Sequence, residues 1–152
     1  MAYYIKTFLK AFFCFLHFRC MSQKWNIYYV DEYDNFHGQG VFIFDCGAYC
    51  VGNFCENQLN GEGEEYDDQG ELIYKGQYKM GEKTGKGILN YSDGSVYEGK
   101  LKNAMKNGKG TYTYADGDIY TGIWHDDEKH GKGTYHWSTG ECWQGKFKND
   151  MF

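Results

Sequence analysis

A chain of 152 residues suits one domain or a short repeat array. Aromatic residues make up 20%, glycines number 21 and proline is absent, which fits hydrogen-bonded strands because proline removes a ladder donor. The net charge is −5, yet residues 25–73 hold eleven acids and no Lys or Arg; that acidic middle argues against nucleic acid as the main partner, since phosphate neutralisation needs a continuous basic surface.

Residues 1–26 contain no glycine and no acid, and the longest uncharged apolar run, residues 11–16, is much shorter than the roughly 18–20 residues a spanning helix needs. Read as a helix, Lys6, Lys10, Cys14 and His17 share one stripe, with Phe8, Phe12, Phe15, Leu16 and Met21 around the rest. Three readings fit. The helix lies on a membrane surface with its lysines at the headgroups, or folds back over an apolar face of its own chain, or is a targeting sequence.

From residue 27 onward the glycines keep a frame. A Gly-x-Gly pair recurs at 38/40, 61/63, 85/87, 108/110 and 131/133, in steps of 23, 24, 23 and 23. Seven residues after each pair stands another glycine (47, 70, 94, 117, 140), and five or six further on one more (52, 76, 99, 122, 145). These slots take twenty of the 21 glycines and leave Gly81 outside. The frame divides the chain into a degenerate unit at 27–49, units at 50–73, 74–96, 97–119 and 120–142, and a partial one at 143–152. Such a period marks a repeat array whose units bury their apolar faces only against neighbours.

Within a unit the pattern has period two. In Tyr97-Glu98-Gly99-Lys100-Leu101 the odd positions are apolar or glycine and the even ones charged, as in a strand with one protected face. Gly110-Thr111-Tyr112-Thr113-Tyr114 puts its even positions on that face, and Asp93-Gly94 and Asp116-Gly117 are hairpin turn signals. Each unit therefore reads as two strands of about five to seven residues and two tight turns, with the Gly-x-Gly pairs as hairpin parts. Gly99, Gly122 and Gly145 fall in strands on the aromatic face, where a missing side chain lets a ring lie flat over the backbone. The expected fold class is all-β: an elongated single-layer antiparallel meander of roughly ten strands, on the order of 50 Å long, preceded by the helical segment 1–26.

The Tyr-x-Gly-x-Trp/Leu/Phe start, the Gly-x-Gly centre and the Asp-Gly close resemble MORN repeats (membrane occupation and recognition nexus), best at 97–119 and 120–142, well at 74–96, and with Cys50 replacing the opening tyrosine at 50–73. The resemblance covers about 125 of 152 residues. It implies a binding role in cytoskeletal, ciliary or membrane-junction assemblies, or as a regulatory segment of lipid kinases.

Chemistry is sparse. The stretch 81–87 superficially resembles a phosphate loop but is one residue short. The six cysteines (14, 20, 46, 50, 55, 142) include no C-x-x-C pair and read as free thiols in a reducing compartment. His125, His130 and His136 share no evident ligand geometry, and carboxylate pairs such as Glu64-Glu65 and Asp126-Asp127 have no dry pocket in a single-layer sheet. No enzyme activity, cofactor or metal is expected. Partner-binding candidates are Tyr97, Tyr112, Tyr114, Tyr120, Trp124, Tyr135, Trp137 and Trp143 on the aromatic face. The opposite face carries Lys100, Lys102, Lys109, Thr111 and Thr113, joined by Lys75, Lys79, Lys83 and Lys86. The expected function is a non-catalytic scaffold binding proteins within a larger assembly, on the cytoplasmic side and cytoskeleton- or membrane-associated, with an organelle such as the mitochondrion left open. The alternative is a peripheral membrane protein that binds anionic phospholipid through Lys6, Lys10, Lys79, Lys83, Lys100 and Lys102. The strand at 143–150 is expected to offer an open edge for self-association or for strand addition to a partner.

Overall fold

A computed structural model describes residues 29–30 and 35–151; the helix expected over 1–26 lies outside them. The described residues form one sheet of eleven strands: β1 (Tyr29–Val30), β2 (Phe36–Ile43), β3 (Tyr49–Cys55), β4 (Gln58–Tyr66), β5 (Leu72–Lys79), β6 (Glu82–Asn90), β7 (Val96–Lys102), β8 (Met105–Thr113), β9 (Ile119–His125), β10 (Glu128–His136) and β11 (Cys142–Phe147). Every strand pairs antiparallel with its chain neighbours, so the expected single-layer meander is present.

One line of residues organises the sheet. Gly40, Gly52, Gly63, Gly76, Gly87, Gly99, Gly110, Gly122, Gly133 and Gly145 face each other in direct register across β2–β11. Directly paired residues share a face, so these glycines leave a bare groove along one side. Rings fill it. A Cβ on Gly110 would stand 2.3 Å from the Tyr97 hydroxyl and 2.5 Å from its ring, and one on Gly99 would meet the same hydroxyl at 2.4 Å. Tyr74 covers Gly76 and Gly87, and Tyr120 covers Gly122 and Gly133, in the same way. Each ring thus lies over the glycine two residues ahead and over that glycine's partner on the next strand. The tyrosine hydroxyl then donates to a backbone carbonyl three residues on: Tyr74 to Gln77 (3.1 Å), Tyr97 to Lys100 (2.8 Å) and Tyr120 to Ile123 (3.1 Å). All three acceptors sit where the register to the following strand shifts.

That shift corrects the sequence-based view of the Gly-x-Gly pairs. They lie inside strands rather than in turns. The first glycine of each pair has positive φ (62° to 106°), and at Gly61, Gly85, Gly108 and Gly131 it lies in a bulge, while the second belongs to the glycine line. Between Gly110 and Lys106 the second strand runs four positions against two on its partner, Gly99 to Leu101. The extra residues keep the side-chain parity, so the strand continues past the bulge; β4, β6, β8 and β10 are each nine residues long instead of the expected five to seven.

The long strands begin at two-residue turns with both central residues at positive φ, Glu56-Asn57, Met80-Gly81, Asn103-Ala104 and Asp126-Asp127, and Asn149-Asp150 makes the same turn after β11, between Lys148 and Met151. Gly81, the one glycine outside the frame, fills a slot that the other turns give to Asn, Ala or Asp. Each turn also clasps the preceding unit. The second turn residue donates its N–H to a carbonyl one unit back, as Asn57 to Phe36 (3.2 Å), Ala104 to Lys83 (3.0 Å) and Asp127 to Lys106 (3.1 Å). Where that residue has a suitable side chain it answers with a second bond: Asn57, Asp127 and Asp150 accept from the N–H of Phe36, Lys106 and Lys129 at 2.8–2.9 Å.

The core follows the glycine groove. Tyr74, Tyr97 and Tyr120 are fully buried, and Tyr78, Leu101, Trp124 and Phe147 nearly so. Rings lock one unit to the next: the edge of Trp124 meets Tyr97 of the preceding unit at 5.5 Å, and Phe147 meets Tyr120 at 4.9 Å.

Two predictions follow from these contacts. Gly110→Ala drives a methyl into a fixed ring and should lower unfolding free energy by about 2–3 kcal/mol in a urea melt. Ala104→Asn should raise it by about 1 kcal/mol, because asparagine tolerates the left-handed backbone and can accept from the Lys83 N–H as Asn57 does from Phe36. An unaltered midpoint for either variant would contradict the role assigned to that position.

Candidate functional site

The glycine-groove face carries two rows of side chains. The inner row is the core. Tyr97 and Tyr120 are fully covered and Trp124 is 3% exposed, so these three sequence candidates support the fold and their rings are out of a partner's reach. The outer row runs beside the Asp-Gly turns. Tyr112, Tyr114 and Tyr135 are half-buried against the core, while Tyr91 and Trp137 are each 37% exposed; Trp143, also half-buried, lies instead over Gly145 in the inner row. Five of these rings form a chain of contacts: Tyr91 to Tyr112 at 5.6 Å, Tyr112 to Tyr114 at 4.6 Å, Tyr114 to Tyr135 at 5.8 Å and Tyr135 to Trp137 at 5.0 Å. Toward the other end of the sheet the same slots hold Glu65 and Asp67 on β4 and its turn, then Phe42 and Phe44 on β2 and its turn, which are 44% and 48% exposed.

The outer row is held in place by hydroxyls. The Tyr112 hydroxyl and Ser95 Oγ lie 2.7 Å apart, and Ser95 donates to Asp93 at 2.6 Å. The Tyr135 hydroxyl donates to Asp118 Oδ2 at 2.7 Å, while Asp118 Oδ1 accepts from the Ser138 N–H at 2.8 Å. These bonds, first from the Ser138 N–H and then from Tyr135, hold the Asp118 carboxyl below the usual carboxylate range. Tyr112 and Tyr135 therefore present fixed edges, and Tyr114 packs against both of them.

Three lysines also lie on this face. Lys83, Lys106 and Lys129 occupy one slot in successive units and pair directly with core residues Tyr78, Leu101 and Trp124. Lys83 Nζ is 2.6 Å from Glu65 and 4.8 Å from the centre of the Tyr74 ring. Lys106 Nζ lies 4.5 Å from the centre of Trp124 and 5.0 Å from Tyr112, with Asp127 at 3.9 Å. Burial pushes the Lys106 pKa down, and Asp127 opposes that push. Lys129 stands over Tyr114, Tyr120 and Tyr135. Lys83 thus belongs to the aromatic face, not to the opposite one expected for it; the strand carries its parity through the Gly-x-Gly pair. Reading the strand from Met105 rather than from Gly110 would have found all three lysines.

The opposite face holds Lys75, Lys79, Lys86, Lys100, Lys102, Lys109 and the hydroxyls of Thr111 and Thr121, which lie 3.2 Å apart. Lys75 pairs with Glu64 at 3.0 Å. Lys6 and Lys10 lie outside the described residues. The rings of His125 and His130 are 5.8 Å apart, and among the described residues no three His, Cys, Asp or Glu side chains converge on a metal-sized space. Burial pushes the Cys50 thiol up to about 11, so at neutral pH it is a protonated core side chain. Among the described residues no helix is long and apolar enough to cross a membrane.

A family model described as MORN repeat matches residues 32–45, 74–96, 97–119 and 120–142. Each of the last three matches spans one hairpin: β5–β6, β7–β8 and β9–β10. Residues 46–73 and 143–151 fall outside the matches, yet Gly52, Gly63 and Gly145 continue the glycine line through them.

The acid sensitivity of this edge has a definite sign. A carboxyl whose folded pKa is depressed contributes stability that is present above its unfolded value, near 3.9, and lost as pH falls through the folded value. Asp118→Asn should flatten the dependence of melting temperature on pH in that acid window and leave its slope above pH 6 unchanged. A steeper acid slope in the variant would refute the assignment.

Proposed function

We propose a function for this chain, which belongs to the MORN repeat family: it is a non-catalytic scaffold that holds a partner protein on its aromatic face within a larger assembly. The observation that carries this reading is the chain of half-covered rings from Tyr91 to Trp137. One sheet layer cannot enclose rings on both sides, and rigid aromatic edges with polar tips are the side chains that anchor protein interfaces. The hydroxyl bonds of Tyr112 with Ser95 and of Tyr135 to Asp118 fix two of those edges before a partner arrives, which lowers the ordering cost of binding. The partner's segment is apolar or aromatic on one side, with acidic groups placed to meet Lys106 and Lys129. Phosphates of nucleic acid are not its ligand, and no cofactor enters the role. The setting that suits such a scaffold is the cytoplasmic side of a cytoskeletal or membrane-associated assembly.

The alternative is a peripheral membrane protein. Lys79, Lys100 and Lys102 are exposed on the opposite face and favour it; Lys83 does not, because Glu65 already neutralises it.

Quantitative affinity capture with the full chain separates the readings. The Tyr114→Ala, Trp137→Ala double variant should lose most captured protein, with flotation on phosphatidylserine vesicles unchanged. Undiminished capture would refute the scaffold reading. Flotation that disappears in a Lys79→Gln, Lys100→Gln, Lys102→Gln variant would instead support the membrane reading.

A further inference from the structure

The face opposite the rings carries a second row that crosses the sheet. Lys86 on β6, Lys100 on β7, Lys109 on β8, Lys132 on β10 and Lys146 on β11 are all exposed and flank the glycine line. Lys86 stands directly opposite Lys100, and Lys132 directly opposite Lys146. Like charges in directly opposed positions destabilise a sheet. Elsewhere the same face opposes unlike charges, as Glu64 and Lys75 at 3.0 Å. Among the described residues none of the five lysines has a carboxylate partner at ion-pair distance. A row of unneutralised, mutually repelling cations breaks the local rule for a sheet, and such breaks concentrate where function demands them.

The row has one interruption. On β9 the slot is taken by Ile123, which pairs with Lys109. Around it the surface dips into a shallow depression of about 680 Å³, floored by Gly110 and Gly122 and flanked by Lys109 and Lys132. The order of features along the row is therefore three cations (Lys86, Lys100, Lys109), an apolar seat at Ile123, and two more cations (Lys132, Lys146). From β6 to β11 it spans five strand spacings, about 24 Å, which an extended peptide of about seven residues covers.

We propose that this face is a second binding site, separate from the aromatic one, for a short extended acidic peptide with an apolar residue at its centre. The apolar side chain sits on Ile123 and the carboxylates on either side meet the lysines. A longer polyanion fits less well, because the row ends at β5 and β4, where the same slots hold Gln77 and Glu62. A fluid anionic membrane has no use for an apolar seat set between two cations. Charge complementarity and the apolar break together favour a peptide.

The test uses the full chain and a fluorescein-labelled nine-residue peptide of glutamates with leucine at its centre. Fluorescence anisotropy at about 50 mM salt should show binding that weakens as salt rises. Lys109→Gln with Lys132→Gln should weaken it about tenfold, whereas Tyr114→Ala with Trp137→Ala should leave it unchanged, which separates this site from the aromatic face. Ile123→Ser should remove the preference for the leucine-centred peptide over an all-glutamate one. Lys132→Glu should raise the melting temperature, through a new pair with Lys146, while weakening the peptide. The site is refuted by no binding at low salt, by equal binding to the lysine double variant, or by loss of binding in the aromatic variant. Equally tight binding of a thymidine oligonucleotide, or binding to phosphatidylserine vesicles without binding to the peptide, would also overturn it.

Discussion

The fold rests on rings lying over bare backbone. Ten glycines in register would by themselves weaken a sheet, at about 0.5–1 kcal/mol each relative to alanine. One tyrosine covers two of them, so it must offset about 1–2 kcal/mol. Burying a ring of that size gives about 1.5–3 kcal/mol, and its hydroxyl bond to a backbone carbonyl gives about 0.5–1.5 more. The balance favours the folded sheet, but only while the ring and both glycines are present. Tyr97 needs Gly99 on its own strand and Gly110 on the next. The interaction is therefore a clasp between strands as well as a local packing contact. Because Trp124 packs against both Tyr97 and Tyr120, neighbouring clasps are coupled.

The bulges accompany the same interaction. A tyrosine that lies along its own strand brings its hydroxyl to the carbonyl three residues ahead, at the register shift in each of the three clasps. The positive-φ glycine lets the partner strand loop around that point with two additional residues and return to pairing. The strand then reaches far enough to close in a tight turn, whose second residue bonds to the unit before it. Glycine line, bulge and turn thus recur together with the seated ring, and they persist at β3–β4, where Cys50 stands in the tyrosine slot, so the glycine frame carries them even where the ring is missing.

Much of this was legible in the residues. Twenty glycines in a fixed frame, tyrosines two positions before Gly99 and Gly122, and Asp-Gly turns specify a meander with one aromatic face. The tight turns were less legible. Asn103-Ala104 and Asp126-Asp127 have little in common as residue types; their shared backbone is imposed by strand pairing on both sides rather than by local preference. Placing Lys83 failed for a related reason. A Gly-x-Gly pair looks like a chain reversal, and only the cross-strand register reveals that the strand runs through it. For the candidate site, the period-two pattern identified the aromatic face but could not separate core from surface on it. Tyr97 and Tyr114 are both aromatic and both face inward, yet one is sealed beneath the next unit and the other lies at the turn edge where the sheet ends.

That last distinction bears on how such a protein can evolve contacts. The inner row is constrained: any change in ring size must suit two glycines and a neighbouring ring at once. The outer row touches only one edge of the core, so its slots vary along the array, from Phe42 through Glu65, Leu89 and Tyr112 to Tyr135. The opposite face is freer still, since its side chains stand away from the groove and their main restriction is cross-strand charge. Repulsive pairs such as Lys132 with Lys146 can be tolerated there only because the clasps on the other side hold the strands in register regardless. A single-layer sheet whose core lies on one side thereby leaves the side chains of its other side freer to vary.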